Sequence, residues 1–407
     1  MARRQARILL AGLQPMTATH WLGPQARLTL LARQALRIAV WLLLLAGTAR
    51  GQEPELLGRL TQQVELPAQA SASAAASGFV VQGALHSKLL ALNSLGLSGV
   101  VQVAVHATRG WGECQQAGTR CRVVLFLPGF DGSPEFTYLG KAFGLRQAVD
   151  TAVQAGNLPP LVVISVDPRA PLGGSFYTDS TTTGQWTRFI VEELVPTVEA
   201  ALKIQPLAAR RLVLGHSMGG FGALHLALEH PEAWSGVAGL SPVASTAFAA
   251  GSRSAAAAKA SDADPTGTAG RLTRLLAAPT EKHFYERLFW AMAAAWTSDG
   301  LDWRKALAPG DKPTISPAHA ANWLRLDPVH RLAEPKSTAV CKLRLILTIG
   351  TSDPIIAAAD VRAVAAAGNR LCAAAKPFRL TVHEGNHGNH LRADVLAALA
   401  ALTSVVR

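Results

Sequence analysis

Charged residues are scarce in this chain of 407 residues, where they make up 16% of the sequence against 49% apolar residues. Such a composition excludes a largely disordered chain and supplies enough apolar side chains for a sizeable core. Seven of the twelve net positive charges belong to the arginines of residues 1–51, which leaves +5 for the rest of the chain. Because that remainder contains no run of lysine or arginine, we expect no nucleic-acid partner.

Cysteine is also rare, with four residues and no Cys-x-x-Cys motif. The lack of that motif argues against a zinc site and against thioredoxin-type redox chemistry. If the protein is exported to an oxidising compartment, we expect two disulfides, Cys114–Cys121 and Cys341–Cys372. The second is expected because a crossover helix runs back to the start of the strand before it, which returns Cys372 to Cys341. Four buried thiols are the alternative.

No apolar run near the N-terminus reaches the length of about 20 residues that a membrane-spanning helix needs. Instead, an arginine-rich stretch precedes the short apolar run 38–46 and the small residues 47–49. This order is typical of a secretory signal, so we predict that residues 1–51 are an export signal and that the mature chain is secreted or periplasmic. No stable membrane span is expected after the signal is removed. An uncleaved segment would instead tether the chain to a membrane.

Apolar strand-like runs alternate with helical patterns along the rest of the chain. Strands are predicted at residues 99–106, 122–128, 161–166, 211–214, 236–240, 343–350 and 378–383, and helices at about 186–202, 219–229, 358–375 and 391–402. Nearly continuous apolar strands are typical of strands buried on both faces. The alternation predicts an α/β domain over residues 52–407, with a mostly parallel sheet covered by helices on both sides.

Residues 245–335 interrupt this alternation. The segment shows no clear strand and contains Trp290, Trp296, Trp303 and Trp323. An insertion at this point of the chain would lie above the carboxyl ends of the strands. We predict a helical cap that shapes an acyl pocket, with a packing subdomain that does not touch substrate as the alternative.

A Gly-x-Ser-x-Gly pentapeptide, residues 215–219, lies between the strand at 211–214 and the helix at 219–229. The pentapeptide alone is weak, but a strand, a sharp turn and a helix are the setting of a nucleophile elbow. Glycines flank such a serine because side chains would collide in the turn. Ser217 is therefore the predicted nucleophile. An idle serine in a glycine-rich turn is the alternative.

A nucleophilic serine needs a base, and the base needs an acid that orients it. In this fold class the chain order is serine, acid, histidine. Asp353 directly follows a strand and is the predicted acid, ahead of Asp360 and Asp327. His387, in the loop after the last strand, is the predicted base, with His390 as the alternative. His383, on the predicted strand, is expected to be structural, and His216, next to Ser217, is expected to support the turn rather than to act as the base.

The tetrahedral intermediate of acyl transfer needs backbone N–H donors. We predict the N–H of Met218, directly after the serine, and that of Phe130 in the loop after the first central strand, with Asp131 next. A second loop, which contains Tyr177 and Asp179, is expected near the same rim. These two side chains either contact substrate or only stabilise the loop.

Several segments together resemble the esterase D-like family of α/β-hydrolases, which includes S-formylglutathione hydrolases, feruloyl esterases and secreted mycolyltransferases. The resemblance covers about residues 83–245 and 338–402. It rests on residues 215–224, on Gly174-Ser175-Phe176-Tyr177 and Glu193-Leu194-Val195-Pro196, and on Gly385-Asn386-His387. It implies the α/β-hydrolase fold, a serine hydrolase without metal or organic cofactor, and Ser217, Asp353 and His387 as the triad. Pro128-Gly129 departs from the His-Gly of many members, although the mycolyltransferases also lack that histidine.

The sequence therefore predicts an exported serine carboxylic-ester hydrolase that acts on a small-molecule, lipid or carbohydrate ester. An acyltransferase to a sugar or lipid alcohol would use the same residues and is the first alternative. A non-catalytic cell-envelope binding protein on a hydrolase scaffold is the second.

Overall fold

An eight-stranded sheet lies at the centre of the computed structural model, which describes residues 78–112, 121–278, 280–298, 300–308, 314–375 and 377–404. In chain order the strands are β1 (Phe79–His86), β2 (Val100–Ala107), β3 (Arg122–Leu127), β4 (Leu161–Val166), β5 (Asp179–Ser180), β6 (Gly184–Gln185), β7 (Arg211–His216), β8 (Gly236–Leu240), β9 (Leu307–Ala308), β10 (Thr314–Ile315), β11 (Arg344–Gly350) and β12 (Phe378–His383). The sheet order is β1-β2-β4-β3-β7-β8-β11-β12. β2 pairs antiparallel with both β1 and β4, whereas the remaining neighbours are parallel. The prediction of a mostly parallel sheet is confirmed.

Helices connect these strands. The α-helices are α1 (Lys88–Ala91), α2 (Leu145–Gln154), α3 (Trp186–Arg188), α4 (Val195–Ala201), α5 (Met218–Glu229), α6 (Ser252–Asp262), α7 (Gly267–Ala277), α8 (Phe284–Trp296), α9 (Pro317–Leu324), α10 (Pro328–Leu332), α11 (Ala358–Leu371) and α12 (Leu391–Thr403). Two π-helical segments, Pro134–Leu139 and Phe189–Leu194, and several short 3₁₀ turns complete the described elements.

The central strands are apolar on both faces because both faces are covered. In β3, Val123 and Leu125 pack into the core on one side of the sheet, and Val124 and Phe126 pack into the core on the other. The second core is closed by α2 and α12, while α5 and α8 contribute to the first. This two-sided burial explains why the strands read as continuous apolar runs rather than as alternating ones.

The helical segment predicted at 186–202 is present, but its hydrogen-bond register changes along the way. α3 runs directly into the π-helical segment Phe189–Leu194, which runs into α4. Pro196 lies in the first turn of α4 and has no N–H to donate to the carbonyl oxygen of Glu192, four residues earlier. The wider π-helical turn just before Pro196 accommodates this missing donor.

Five helices, α6 to α10, occupy most of residues 245–335, the segment that we predicted as a cap. The segment also contains the two-residue ladder of β9 and β10, which the sequence did not indicate. All side chains from Glu286 to Trp296 in α8 are buried. A helix that is apolar nearly all round belongs in a core, and α8 accordingly packs against other elements on every side.

The disulfide predicted between Cys341 and Cys372 is present, with Cα atoms 5.3 Å apart. Cys341 lies just before β11 and Cys372 just after α11, so the crossover helix does return to the start of its strand. Cys121 is also disulfide-bonded, and its predicted partner Cys114 lies outside the described residues. The predicted export signal, residues 1–51, lies outside them as well. In the part of the chain that the structure describes, no helix is long and apolar enough to cross a membrane.

We expect the Cys341→Ala/Cys372→Ala double variant to lose about 3–4 kcal/mol of unfolding free energy, because the bond closes a loop with a sequence separation of 31 residues. Urea unfolding of the oxidised proteins measures the difference. Equal midpoints and slopes for the variant and the parent chain would contradict this expectation.

Candidate active site

Ser217 occupies a strained turn between β7 and α5. Its backbone has φ 57° and ψ −116°, a conformation that non-glycine residues rarely adopt. Strain of this kind persists only where the surroundings fix the backbone, and it is concentrated at functional sites. Here the Ser217 N–H donates to the carbonyl oxygen of Leu240, which ties the turn to the neighbouring strand.

The two glycines of the pentapeptide allow main chains to approach closely around Ser217. A Cβ on Gly219 would lie 1.9 Å from the carbonyl oxygen of Leu127, and a Cβ on Gly215 would lie 2.1 Å from the carbonyl oxygen of Gly219. Neither contact can be relieved by a side-chain rotation, because the obstructing atoms belong to the backbone. The strand, the turn and the helix therefore fit together only with glycine at both positions.

Asp353 and His387 are brought together by the register of β11 and β12, in which Gly350 lies opposite His383. The loops that follow these strands consequently lie side by side. The His387 Nδ1 lies 2.7 Å from Oδ2 of Asp353, whose side chain is fully buried. The structure thus pairs the predicted acid with the predicted base.

The Asp353 carboxylate is held in its ionised form. Burial alone would raise its pKa, but the hydrogen bond from His387 and the backbone N–H groups of Ile355 and Ile356 outweigh that effect and lower it. The two N–H groups donate to Oδ1 at 2.8 and 2.9 Å. An ionised acceptor requires the proton of the imidazole to be on Nδ1, so the Nε2 lone pair of a neutral His387 is free to accept a proton.

His216 positions the loop that carries His387. The sequence indicated only that His216 supports the turn next to Ser217. Its Nε2 lies 2.7 Å from the main-chain carbonyl oxygen of His387, and the two rings lie 4.7 Å apart between centroids. Burial, and then repulsion by His387, lower the pKa of His216 to about 4. His216 is therefore neutral at pH 7, and its Nε2–H donates to that carbonyl oxygen.

A cavity of about 190 Å³ opens beside Ser217 and His387. Its walls are mainly apolar and strongly aromatic: Phe130, Phe136, Phe143, Met218, Val243, Phe248, Phe284, Leu288 and Ile355. Phe248, Phe284 and Leu288 come from the predicted cap segment. No lysine, arginine or carboxylate lines this cavity among the residues that the structure describes. Among those residues, His387 is hydrogen-bonded to Asp353 and His216, and no hydrogen bond joins its ring to the Ser217 hydroxyl.

The backbone donors predicted for an oxyanion hole are both available. Met218 is the first residue of α5, so its N–H has no acceptor within the helix. The N–H of Asp131 donates to the carbonyl oxygen of Gly173 at 2.9 Å, which removes the alternative donor. Across the described ranges, the N–H groups of Met218 and Phe130 donate to no other group. Both residues line the cavity.

Tyr177 and Asp179 do not line this cavity. The Tyr177 side chain is fully buried, and its hydroxyl donates to the carbonyl oxygen of Pro128 at 2.8 Å. Asp179 accepts a hydrogen bond from the N–H of Arg188 instead. These contacts favour the interpretation that the two side chains stabilise loops, because the hydroxyl of Tyr177 is hydrogen-bonded to Pro128, at the start of the loop that carries Phe130. Substrate contact by these two residues stays a prediction.

The alternative acids and bases have other partners. Asp327 accepts from Ser245 and Thr246 and begins α10, and Asp360 lies within α11. The His390 ring stacks on His383 at 4.2 Å, and His383 lies 3.1 Å from Asp394. These residues form no hydrogen bond with Ser217 or His387. Nor does any group of three or more His, Cys, Asp or Glu in the described chain form a metal site.

Gly173 and Gly174 pack directly against Phe130 and Met218, a role that the sequence analysis did not predict. A Cβ on Gly174 would lie 2.4 Å from the Sδ atom of Met218, and one on Gly173 would lie 2.6 Å from the Phe130 ring. The glycine pair thus makes room for the two residues whose N–H groups are predicted donors. The paired glycines were visible in the sequence, but what they pack against was not.

Comparisons with known proteins identify the family and the fold of the chain. The model of an esterase family, described as "Putative esterase", matches residues 96–394. Among solved structures, a ferulic acid esterase is 16% identical with a TM-score of 0.52, covering 80% of this chain and 98% of that one. An S-formylglutathione hydrolase from Agrobacterium tumefaciens is 15% identical with a TM-score of 0.50, covering 81% and 97%. At this identity the solved structures show a shared fold.

The two buried histidines His216 and His225, each with a pKa lowered to about 4, predict acid sensitivity. Burial is the main cause for both. The unfolded chain binds these protons near pH 6.5 and the folded chain does not, so the stabilisation is complete above pH 6.5 and is lost as the pH falls towards 4. We expect each histidine to contribute about 3 kcal/mol to that loss.

Urea unfolding at several pH values between about 7 and 4.5 measures this dependence. The His225→Gln variant, which lies away from Ser217, should show a shallower fall than the parent chain. Identical pH slopes for the two proteins would contradict the assignment of His225.

Proposed function

The chain belongs to the esterase family whose model matches residues 96–394, and on that premise we propose that it hydrolyses carboxylic esters through an acyl-enzyme on Ser217, with His387 as base and Asp353 as acid. The observation that carries this proposal is the hydrogen bond from His387 to the buried Asp353, at a cavity that the strained Ser217 also lines. The three residues follow one another in the chain order of α/β-hydrolases.

In the first half of the reaction, the Ser217 oxygen attacks the ester carbonyl while Nε2 of His387 takes the hydroxyl proton. The negative charge that develops on the carbonyl oxygen is stabilised by the N–H groups of Met218 and Phe130. Asp353 stays ionised and stabilises the imidazolium. When the tetrahedral intermediate collapses, the bond to the leaving alcohol breaks, His387 protonates that alcohol, and the acyl group remains on Ser217.

In the second half, His387 removes a proton from a water molecule, which attacks the acyl-enzyme. The second tetrahedral intermediate collapses with release of the carboxylic acid, and the proton returns from His387 to Ser217. Because no lysine, arginine or carboxylate is among the described residues that line the cavity, its walls favour an apolar acyl group over a charged one.

We expect Ser217→Ala and His387→Ala to lower turnover of nitrophenyl esters by roughly 10³-fold or more, and Asp353→Asn to be damaging in a chain that remains folded. Initial rates on esters from acetyl to long acyl chains measure the effect and the size of the acyl pocket. His390→Ala is the matched control, because His390 lies in the same loop region but stacks on His383.

Loss of activity in His390→Ala with full activity in His387→Ala would contradict the assigned base. An unimpaired Asp353→Asn would contradict the assigned acid. Adding an alcohol acceptor to the same assay distinguishes hydrolysis from acyl transfer, because transfer yields a new ester in place of the free acid. Full biological function in Ser217→Ala would indicate a binding protein instead.

We also propose that the protein is exported. Two observations support this: the arginine-rich stretch and apolar run of residues 1–51, and the disulfide Cys341–Cys372, a bond that persists in oxidising compartments. N-terminal sequencing of the protein from the extracellular or periplasmic fraction should give a start near residue 52. Recovery of the intact chain in the cytoplasm would contradict export.

A further inference from the structure

The loop that carries Phe130 is a tight turn with an unfavourable residue in it. The N–H of Gly132 donates to the carbonyl oxygen of Gly129 at 3.0 Å, which closes a four-residue turn. Asp131, its third residue, has φ 58°, whereas Phe130 is not among the residues of positive φ. This combination defines a type II turn, in which the third position favours glycine. An aspartate there needs compensation from its surroundings.

Arg287 supplies that compensation from α8. Its side chain is 6% exposed, and it donates to both carboxylate oxygens of Asp131, with Nη1 2.9 Å from Oδ1. The centre of its guanidinium also lies 5.5 Å from the centroid of the Phe130 ring. A buried arginine without its carboxylate would leave an uncompensated charge, so the pair strongly favours this position of the loop.

The opposite side of the turn is fixed by Gly173. Its carbonyl oxygen accepts the N–H of Asp131, and a Cβ at this position would lie 2.5 Å from Oδ1 of Asp131. In the alternative type I turn, the peptide between Phe130 and Asp131 is flipped, so the N–H of Asp131 would turn away from Gly173. The contact with Gly173 and the ion pair with Arg287 both select the observed turn.

We propose that Arg287 is a positioning residue for the esterase reaction: acting through Asp131, it fixes the turn from Gly129 to Gly132, whose second residue, Phe130, carries the proposed oxyanion N–H. The inference rests on the proposed function, because it assigns a supporting residue to the Phe130 donor named there. It also connects the cap segment to catalysis, since α8 belongs to residues 245–335 and supplies both Arg287 and the cavity wall residue Leu288.

A misplaced oxyanion donor weakens binding of the transition state but not of the ester in its ground state. Asp131→Asn retains the shape of the side chain and its tolerance for positive φ, and removes the charge and one of the two oxygens that accept from Arg287. Arg287→Gln removes the positive charge of the same ion pair. We expect each variant to lower kcat by roughly 10- to 100-fold while KM stays within about threefold. The double variant should be no slower than the slower single variant, because both changes break one interaction.

A second ion pair, between α7 and α8, provides matched controls. Arg271 of α7 donates to Glu286, the residue before Arg287, at 2.9 and 2.7 Å. Among the described residues, neither side chain of this pair forms a hydrogen bond or an ion pair with the Phe130 loop. Glu286→Gln matches Asp131→Asn, and Arg271→Gln matches Arg287→Gln. We expect both controls to lower the unfolding midpoint in urea, as any broken buried pair does, and to leave kcat unchanged.

A tetrahedral inhibitor distinguishes a misplaced Phe130 donor from a general loosening of the cap segment. Rates of inactivation by a nitrophenyl phosphonate, whose oxygen enters the oxyanion position, should fall in Asp131→Asn in proportion to kcat/KM. The carboxylic acid product should inhibit the variant and the parent chain equally. Titration with the same phosphonate counts the active sites, so kcat refers to folded enzyme only. If Arg287→Gln fails to fold, Asp131→Asn decides the question.

Unchanged kcat in Asp131→Asn, with a stability loss like that of Glu286→Gln, would overturn the proposal and leave the pair a structural one. A parallel loss of kcat in Glu286→Gln would overturn it too, because the effect would then reflect loosening of α8. Absence of Ser217-dependent hydrolysis in the parent chain would contradict the proposed function itself, and the two failures are therefore distinguishable.

Discussion

The close approach of α5 to the end of β3 is the contact on which the rest of the site depends. At Gly219 the helix comes so near to the carbonyl oxygen of Leu127 that no side chain fits between them. This contact places the first N–H of α5 next to the turn that begins after β3. It also forces Ser217 into its strained conformation, since the chain must reverse between β7 and α5 within a single residue. The proposed nucleophile and both proposed donors thus follow from one backbone contact.

A second constraint is electrostatic, because the side chains of Asp353 and Arg287 are buried next to the cavity and each must be paired. Asp353 accepts three hydrogen bonds. Both carboxylate oxygens of Asp131 accept a hydrogen bond from Arg287. His216 is kept neutral by burial and acts only as a donor to the His387 loop. These pairings leave the cavity wall apolar. Charges interact more strongly where one partner is shielded from water, so each pair fixes the geometry of its loop more firmly than a fully exposed pair would.

The regular part of the fold could be predicted because its signals are local. The strands Leu161–Val166, Gly236–Leu240 and Phe378–His383 lie where the sequence indicated them, since each is a short run between turn residues. The segment from Trp186 to Leu202 was harder, because the π-helical register depends on how the chain accommodates Pro196. The ladder of β9 and β10 could not be predicted, because two-residue strands carry no periodicity.

The sequence by itself determined the fold class, the esterase family and the three candidate residues Ser217, Asp353 and His387. It did so because a strand, a sharp turn and a helix leave a local pattern, and because loops after parallel strands meet at one edge of the sheet. Only the tertiary structure decided how these loops are held. His216 reaches a carbonyl 171 residues away, and Arg287 reaches a carboxylate 156 residues away. Such pairs form when packing buries a polar side chain, as it does His216 and Arg287, and that side chain must find a partner. No local pattern in the sequence records which partner lies within reach.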